Sequence, residues 1–435
     1  MTRLLALTLG LFVLLAAPLR AEVAITPVTS DSGLQAWLVE ERSIPIVTLE
    51  LIFAGGSTLD DDATAGATSL MTALLSEGAG DMDAQEFAAR SEELAARIGF
   101  NAGRDTVSVS VQFLTDDADA VIDHLRLALT DPRFDADAVE RVRGQMVSKL
   151  RRDALDPNTL ASRAFAQAAY GEHPYGRASD GSVETVAALD RDTLIAAHQG
   201  AIARDRVFIG AAGDIGAEEL ARLLDRLFDG IPEQGAEIPA RAEFAAPPGI
   251  EVIPFDGPQS VIAFGHDGIA RDDPDFLTAY VLNEVFGGGR FGTRLMESLR
   301  VQRGLTYGVG SFLAAGLLGE SYQGRMSTDN ANAAAAIELL REEWAQIAEH
   351  GISDDDLSRI QTYLTGAYPL RFDGNAAIAS TMASMQYQGF DIDYVNIRND
   401  LIDALTVEQV NAMAARLYDA DALYFVVVGQ PEGLE

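Results

Sequence analysis

Two distant stretches of the chain carry the same hydrophobic pattern. Leu189 to His198 spaces its apolar residues along one face of a helix and runs into the apolar strand Val207 to Gly213. Leu405 to Ala414 does the same and runs into Tyr424 to Gly429. Leu189 and Leu405 lie 216 positions apart, as do Gly213 and Gly429, so the segments share register as well as pattern. A second pair precedes them: the stretches from Asp137 and from Asp355 each open a long helix behind an acidic first turn. Each half also opens on a strand rich in β-branched and aromatic residues, Ile46 to Ala54 and Val261 to His266. Between the halves, Pro232 to Pro248 holds Pro, Gly, Ala and Glu without apolar periodicity, the mark of a linker. The pattern predicts two α+β domains, residues 22–235 and 248–435, joined by a linker at 236–247.

Composition narrows the partners. Asp and Glu number 66 against 32 Lys and Arg, a formal charge of −34 that repels phosphate backbones and argues against nucleic acid. Residues 1–21 read as a secretory signal peptide, with Arg3 at its start, an apolar run from Leu4 to Ala17 and a small residue at Ala21. That run is too short for a comfortable membrane span, and no later stretch approaches the roughly 20 apolar residues a spanning helix needs. The chain has no cysteine, which removes disulfides, thiolate metal sites and a lipid anchor on a cleavage-site cysteine together. Export without disulfides fits a bacterial periplasm.

The segment Gly66 to Gly80 reads as a short helix that follows a Ser- and Thr-containing acidic turn and ends at glycines. With the preceding strand and the Gly55-Gly56-Ser57 turn, it resembles the zinc-bearing helix of the pitrilysin (insulinase-like) peptidases, in the branch that includes mitochondrial processing peptidase. There His-x-x-Glu-His supplies two zinc ligands and a general base. Alignment on the flanking glycines places Ser69, Thr72 and Ala73 at those three positions. The family's remaining glutamate ligand matches the stretch Val142 to Arg152, which holds no carboxylate; Ser148 or Lys149 stands nearest. The five histidines, His124, His173, His198, His266 and His350, are scattered, and no metal site is expected in this chain. A Ser69 hydrolase is disfavoured because no histidine or lysine lies near it in sequence to activate the hydroxyl.

A second stretch keeps the resemblance. Phe291 to Ser311, preceded by Gly287, Gly288 and Gly289, is similar to the family's C-terminal signature, in which an arginine and a tyrosine flank Arg-Gly-Leu and contact the carbonyl of the scissile bond. Arg300 and Tyr307 occupy those places, and a guanidinium with a phenol can donate to a developing oxyanion. Taken singly, Arg300 reads equally as a solvated helix charge and Tyr307 as a half-buried strand aromatic. Gly287 to Gly289 reads as a peptide-contacting loop or as a tight turn. The alternating strand Thr106 to Phe113, with Val109 and Val111, reads as an internal strand or, as in relatives, one that pairs with extended substrate.

The resemblance implies two homologous domains, each an antiparallel-rich sheet packed with helices, forming one clam-shaped half of a peptidase chamber. It also implies a non-catalytic subunit of a heterodimeric zinc peptidase, with the zinc in a homologous partner and an unfolded peptide as substrate. A peptide-binding or scaffold protein with no part in proteolysis is the alternative.

Overall fold

The computed structural model describes residues 23–434, so the expected signal peptide lies outside the described residues. Two mixed sheets dominate. The first runs in the order Thr26–Thr29, Gln35–Glu40, Val207–Gly213, Ile46–Ala54, Thr106–Leu114, Arg97–Ala102. The second runs Gly308–Ala315, Glu320–Asp329, Gln259–His266, Tyr424–Gly429, Gly249–Pro254. Read from opposite ends, the two share one plan: an edge hairpin, then Ile46–Ala54 or Gln259–His266, then the half's closing strand, which pairs in parallel with an earlier strand, Gln35–Glu40 or Gly249–Pro254, that precedes Ile46–Ala54 or Gln259–His266 in sequence. The pairing is otherwise antiparallel.

The repeat seen in sequence is thus a repeat in space, and local chemistry explains it. Asp190 caps the helix Arg191–Ala201 by accepting from the Thr193 amide, and Thr406 caps Val407–Leu417 through a reciprocal pair with Gln409. Ser353 makes the same box with Asp356 at the start of Asp354–Ala367. Each helix then leads to a strand whose residues are largely buried, Val207–Gly213 or Tyr424–Gly429. In Thr106–Leu114 the alternation is literal: Val107, Val109, Val111 and Phe113 point into the first core, and Thr106, Ser108, Ser110 and Gln112 into the opposite face. Burying a valine of this kind stabilises by roughly 1.5–3 kcal/mol.

The halves exchange helices. Pro157–Tyr170, from the first half, packs on the second sheet, where Phe165 meets Tyr424 and shares a core with Ala263 and Val426. Asn375–Tyr387, from the second half, packs on the first sheet, with the Gln386 amide donating to the Ile209 carbonyl at 2.7 Å and the Asn375 amide to Ile46 at 3.1 Å. Glycine permits both approaches. A Cβ on Gly210 would lie 2.0 Å from the Ala379 carbonyl oxygen, and one on Gly265 2.9 Å from the Phe165 ring.

The segment between the halves has no helix or strand before Gly249, yet it is pinned along its length. The amides of Ala236, Ala242 and Ala245 donate to Gly200, Leu318 and Ala169, and Phe244 packs on Phe165 and Tyr170. A further stitch joins the halves directly: Tyr175 donates to Asp105 at 2.6 Å, while the amides of Leu317 and Leu318 donate to Asp105 and to the Tyr175 oxygen.

Candidate functional site

The helix Ala67–Leu74 starts on a buried carboxylate. Asp60 accepts from the amides of Gly66 and Thr68 and from the Thr68 hydroxyl at 2.6 Å, which supplies the helix with the cap that Gly66 lacks. Burial pushes the Asp60 pKa up to about 6, against the pull of those donors. Ser69 and Ala73 lie one turn apart; Ser69 is half-buried and Ala73 exposed, while Thr72 is buried and turns its hydroxyl back onto the Thr68 carbonyl at 2.8 Å.

Lys149 comes from the helix Ala136–Asp153 to the same place. Its ammonium donates to Asp180 at 2.6 Å and to Asp153 at 2.9 Å, and these contacts hold its pKa above the ordinary lysine value. Asp180 also accepts from Ser69, whose hydroxyl is shared with the Ser179 carbonyl. The loop bearing Asp180 is pressed onto the helix start, since a Cβ on Gly66 would lie 2.7 Å from the Asp180 carbonyl oxygen. A hydroxyl, a methyl group and a protonated ammonium thus stand where the sequence resemblance led zinc ligands to be expected. They do not suit zinc: the ammonium has no lone pair to give and repels a dication. Among the described residues no group of three or more His, Asp or Glu could hold a metal ion.

The same geometry revises one sequence argument. A lysine does stand near Ser69 in space, bridged through Asp180. It cannot serve as a base, because two carboxylates keep it protonated.

The histidines go to separate structural tasks. His124 stacks on Phe87 with 4.1 Å between ring centres, and His266 accepts from the Trp344 indole at 3.0 Å through Nε2, leaving Nδ1 to donate to the Asp267 carbonyl. His198 is buried against Phe134, and burial pushes its pKa down to about 4. His173 accepts the Tyr175 amide and donates to Ala240, tying its loop to the connecting segment; His350 is exposed. Glu77 forms an ion pair with Arg141.

On the second half, Arg300 lies in Met296–Gln302, a π-helical stretch of the kind that often marks a functional site. Its guanidinium stacks on Phe291 at 4.8 Å, and Phe291 is itself 74% exposed. Gly304, at φ 63°, turns the chain through a conformation that favours glycine and leads to Tyr307, 59% exposed, whose hydroxyl approaches Asp329 at 3.4 Å. Arg300 makes no ion pair with a carboxylate among the described residues. The side-chain partners of this arginine and tyrosine, Phe291 and Asp329, belong to the second half, and the helix Ala67–Leu74 supplies none of them.

Gly287 to Gly289 form the turn after the helix Phe276–Phe286. The Gly287 carbonyl accepts from Ser311 and Gly289, and a Cβ on Gly287 would lie 2.1 Å from the Ser311 hydroxyl. Gly287 is therefore a packing residue; only Gly289, exposed at φ 76°, is free toward solvent.

Val109 and Val111 require a correction. Both are fully buried, and their strand is paired on one side with Ile46–Ala54 and on the other with Arg97–Ala102, so no added peptide strand can reach it. The first sheet ends at Thr26–Thr29 on one side and, next to Thr106–Leu114, at Arg97–Ala102 on the other; the weak apolar content of Arg97–Ala102 and its Gly99 hid it in the sequence.

Two sheets of one plan with exchanged helices, and no cluster of metal-binding side chains among the described residues, define a peptidase-like fold without the expected zinc ligands. The family comparison agrees. Residues 37–180 match the description "Insulinase (Peptidase family M16)" and residues 188–364 match "Peptidase M16 inactive domain". The chain belongs to the insulinase-like peptidase family M16. A crystal structure described as a peptidase M16 inactive domain, from Pseudomonas fluorescens, superposes with a TM-score of 0.87 at 28% identity, over 94% of this chain and 99% of that one. A Helicobacter pylori protein named as a non-peptidase homolog is 24% identical over 394 residues, covering 89% of this chain and 90% of that protein. An uncharacterized zinc protease of Streptomyces coelicolor is also 24% identical, over 82% of this chain and 80% of its own length.

Proposed function

We propose that this chain is the metal-free subunit of an exported heterodimeric zinc metallopeptidase, contributing Arg300 and Tyr307 to a peptide held at the zinc site of a homologous partner. The observation that carries the reading is the asymmetry between the halves. The first half has traded ligands for the Ser69–Asp180–Lys149 contacts, while the second presents a guanidinium and a phenol to solvent, positioned by a π-helical turn and a left-handed glycine. The free edge Arg97–Ala102 is where an extended peptide would add as a strand. The Helicobacter relative named as a non-peptidase and the Streptomyces relative named as a zinc protease show that chains of this fold carry both descriptions. The signal-like N-terminus points to the periplasm as the site of action.

The test is kinetic. Mixed with a homologous chain that retains His-x-x-Glu-His, the protein is expected to raise peptide hydrolysis above that of the partner alone. Arg300→Ala should lower kcat in the mixture by about 10²–10³, as for loss of an oxyanion donor, with the complex intact by size-exclusion chromatography. Full hydrolysis by the partner alone, unchanged on addition of this chain, would favour the scaffold reading.

A further inference from the structure

A cavity of about 720 Å³ lies in the second half, between the helix Phe276–Phe286, the loop before it, the exchanged helix Asn375–Tyr387 and the helix Tyr394–Asp403. It is remote in function from everything described above: it holds neither Arg300 nor Tyr307 nor any residue of the altered metal position. Three arginines line it, Arg271, Arg371 and Arg398, and none makes an ion pair with a carboxylate among the described residues, although acidic side chains outnumber basic ones 66 to 32 over the whole chain.

The carboxylates beside the cavity form their ion pairs elsewhere, and Glu284 acts on Arg371 and Arg398 only through space. Asp273 and Asp275 on the rim both pair with Arg416, and Glu284 pairs with Arg290 at 3.4 Å. Aromatic faces hold the guanidinium planes instead. Arg398, only 6% exposed, lies over Tyr368 at 4.4 Å, and Arg271 lies over Phe276 at 4.3 Å with its Nε buried and without a hydrogen-bond partner. Stacking satisfies the flat face of a guanidinium and leaves its N–H edges to be met. Arg398 spends one nitrogen on the Asn399 side chain at 3.2 Å and, more distantly, the Leu364 carbonyl at 3.5 Å, and it also reaches the Tyr280 phenol oxygen.

The wall between the arginines is phenolic. Tyr280, Tyr368 and Tyr394 are largely buried; burial raises each pKa, so all three are neutral donors at ordinary pH, and the positive charges of Arg398, Arg271 and Arg371 all act on Tyr394. Three arginines without a carboxylate ion pair and three phenols, in a hollow whose rim carboxylates Asp273 and Asp275 are held by Arg416, suit a ligand with a negative head and an apolar body.

We propose that this cavity binds a small organic anion, its carboxylate or phosphate head held by Arg271, Arg371 and Arg398 and its apolar or aromatic body against Tyr280, Tyr368 and Tyr394. The helix Asn375–Tyr387 lines the cavity with one face and clamps the first sheet with the other, so occupancy stabilises the joint between the halves as well as the pocket.

The experiment is a thermal-shift and calorimetric titration of the whole chain with phenyl phosphate and with benzoate, which also separates phosphate from carboxylate heads. Inorganic phosphate serves as a head without a body and benzyl alcohol as a body without a charge. A saturable rise in Tm with phenyl phosphate or benzoate, weaker with inorganic phosphate and absent with benzyl alcohol, is expected. The Arg271→Gln/Arg371→Gln variant should lose affinity by about tenfold or more, with its ligand-free Tm near that of the parent, and Arg371→Gln alone, at the exposed rim, by less. Arg300→Ala should bind as the parent does. No saturable shift with either anion up to about 10 mM, or equal affinity in the double variant, would overturn the proposal.

Discussion

Glu50 stands on the strand Ile46–Ala54 opposite Ser110 and Gly210, half-buried, and burial alone pushes its pKa up to about 7. A carboxyl group whose folded pKa exceeds its ordinary 4.5 binds a proton more readily in the folded state, so the cost of ionising it is full above pH 7 and disappears as pH falls toward 4.5. Glu50→Gln removes that cost and should stabilise the protein by roughly 2 kcal/mol at pH 8, with little effect near pH 4.5; urea midpoints at the two pH values check it. His198 has the opposite sign. Its neutral buried form is held from about pH 6.5 down to its own pKa near 4, so its contribution is lost as pH falls through that window. Where the resemblance led zinc ligands to be expected, Ser69 and Ala73 lie one helical turn apart and Lys149 reaches Ser69 through Asp180. Ser69→His with Ala73→His and Lys149→Glu should therefore gain one zinc per chain by elemental analysis, whereas Lys149→Glu alone gains none. Lys149 was visible in the sequence as one of two residues, with Ser148, nearest the missing ligand. Asp180 was not, because it follows Ser69 by 111 positions and no pattern links them.

Individual elements were legible wherever periodicity and capping agreed. The strand Ile46–Ala54 spans the residues its composition marks out, and the helices behind Asp190 and Thr406 start at residues that can cap. The edge strand Arg97–Ala102 escaped notice because it alternates half-buried and exposed residues and contains no fully buried one. The destination of a helix was not legible at all. Pro157–Tyr170 and Asn375–Tyr387 each have an apolar face, but nothing in that face states that its sheet belongs to the other half. The evidence for it is the glycines beneath. Gly210→Ala should destabilise by about 2–4 kcal/mol, because the added methyl must displace the Ala379 backbone, and equilibrium urea unfolding measures this. Gly308→Ala, also in a strand but with nothing within 4 Å of the added Cβ, controls for the residue type.

Across the whole molecule, the internal repeat was readable because two copies of one unit keep their spacing, whereas the joint between them depends on contacts far apart in sequence. The exchanged helices, the pinned connecting segment and the Tyr175–Asp105 stitch hold the halves as one body, with both candidate surfaces presented from a fixed frame. No helix among the described residues is long and apolar enough to cross a membrane. The central claim is that this frame has kept a substrate-facing signature and given up its metal. Its most direct test is the zinc content and peptidase activity of the purified chain after incubation with zinc and gel filtration. The account predicts far less than one zinc per chain and no chelator-sensitive hydrolysis without a partner; one tightly held zinc per chain, with peptide cleavage by this polypeptide alone, would contradict it.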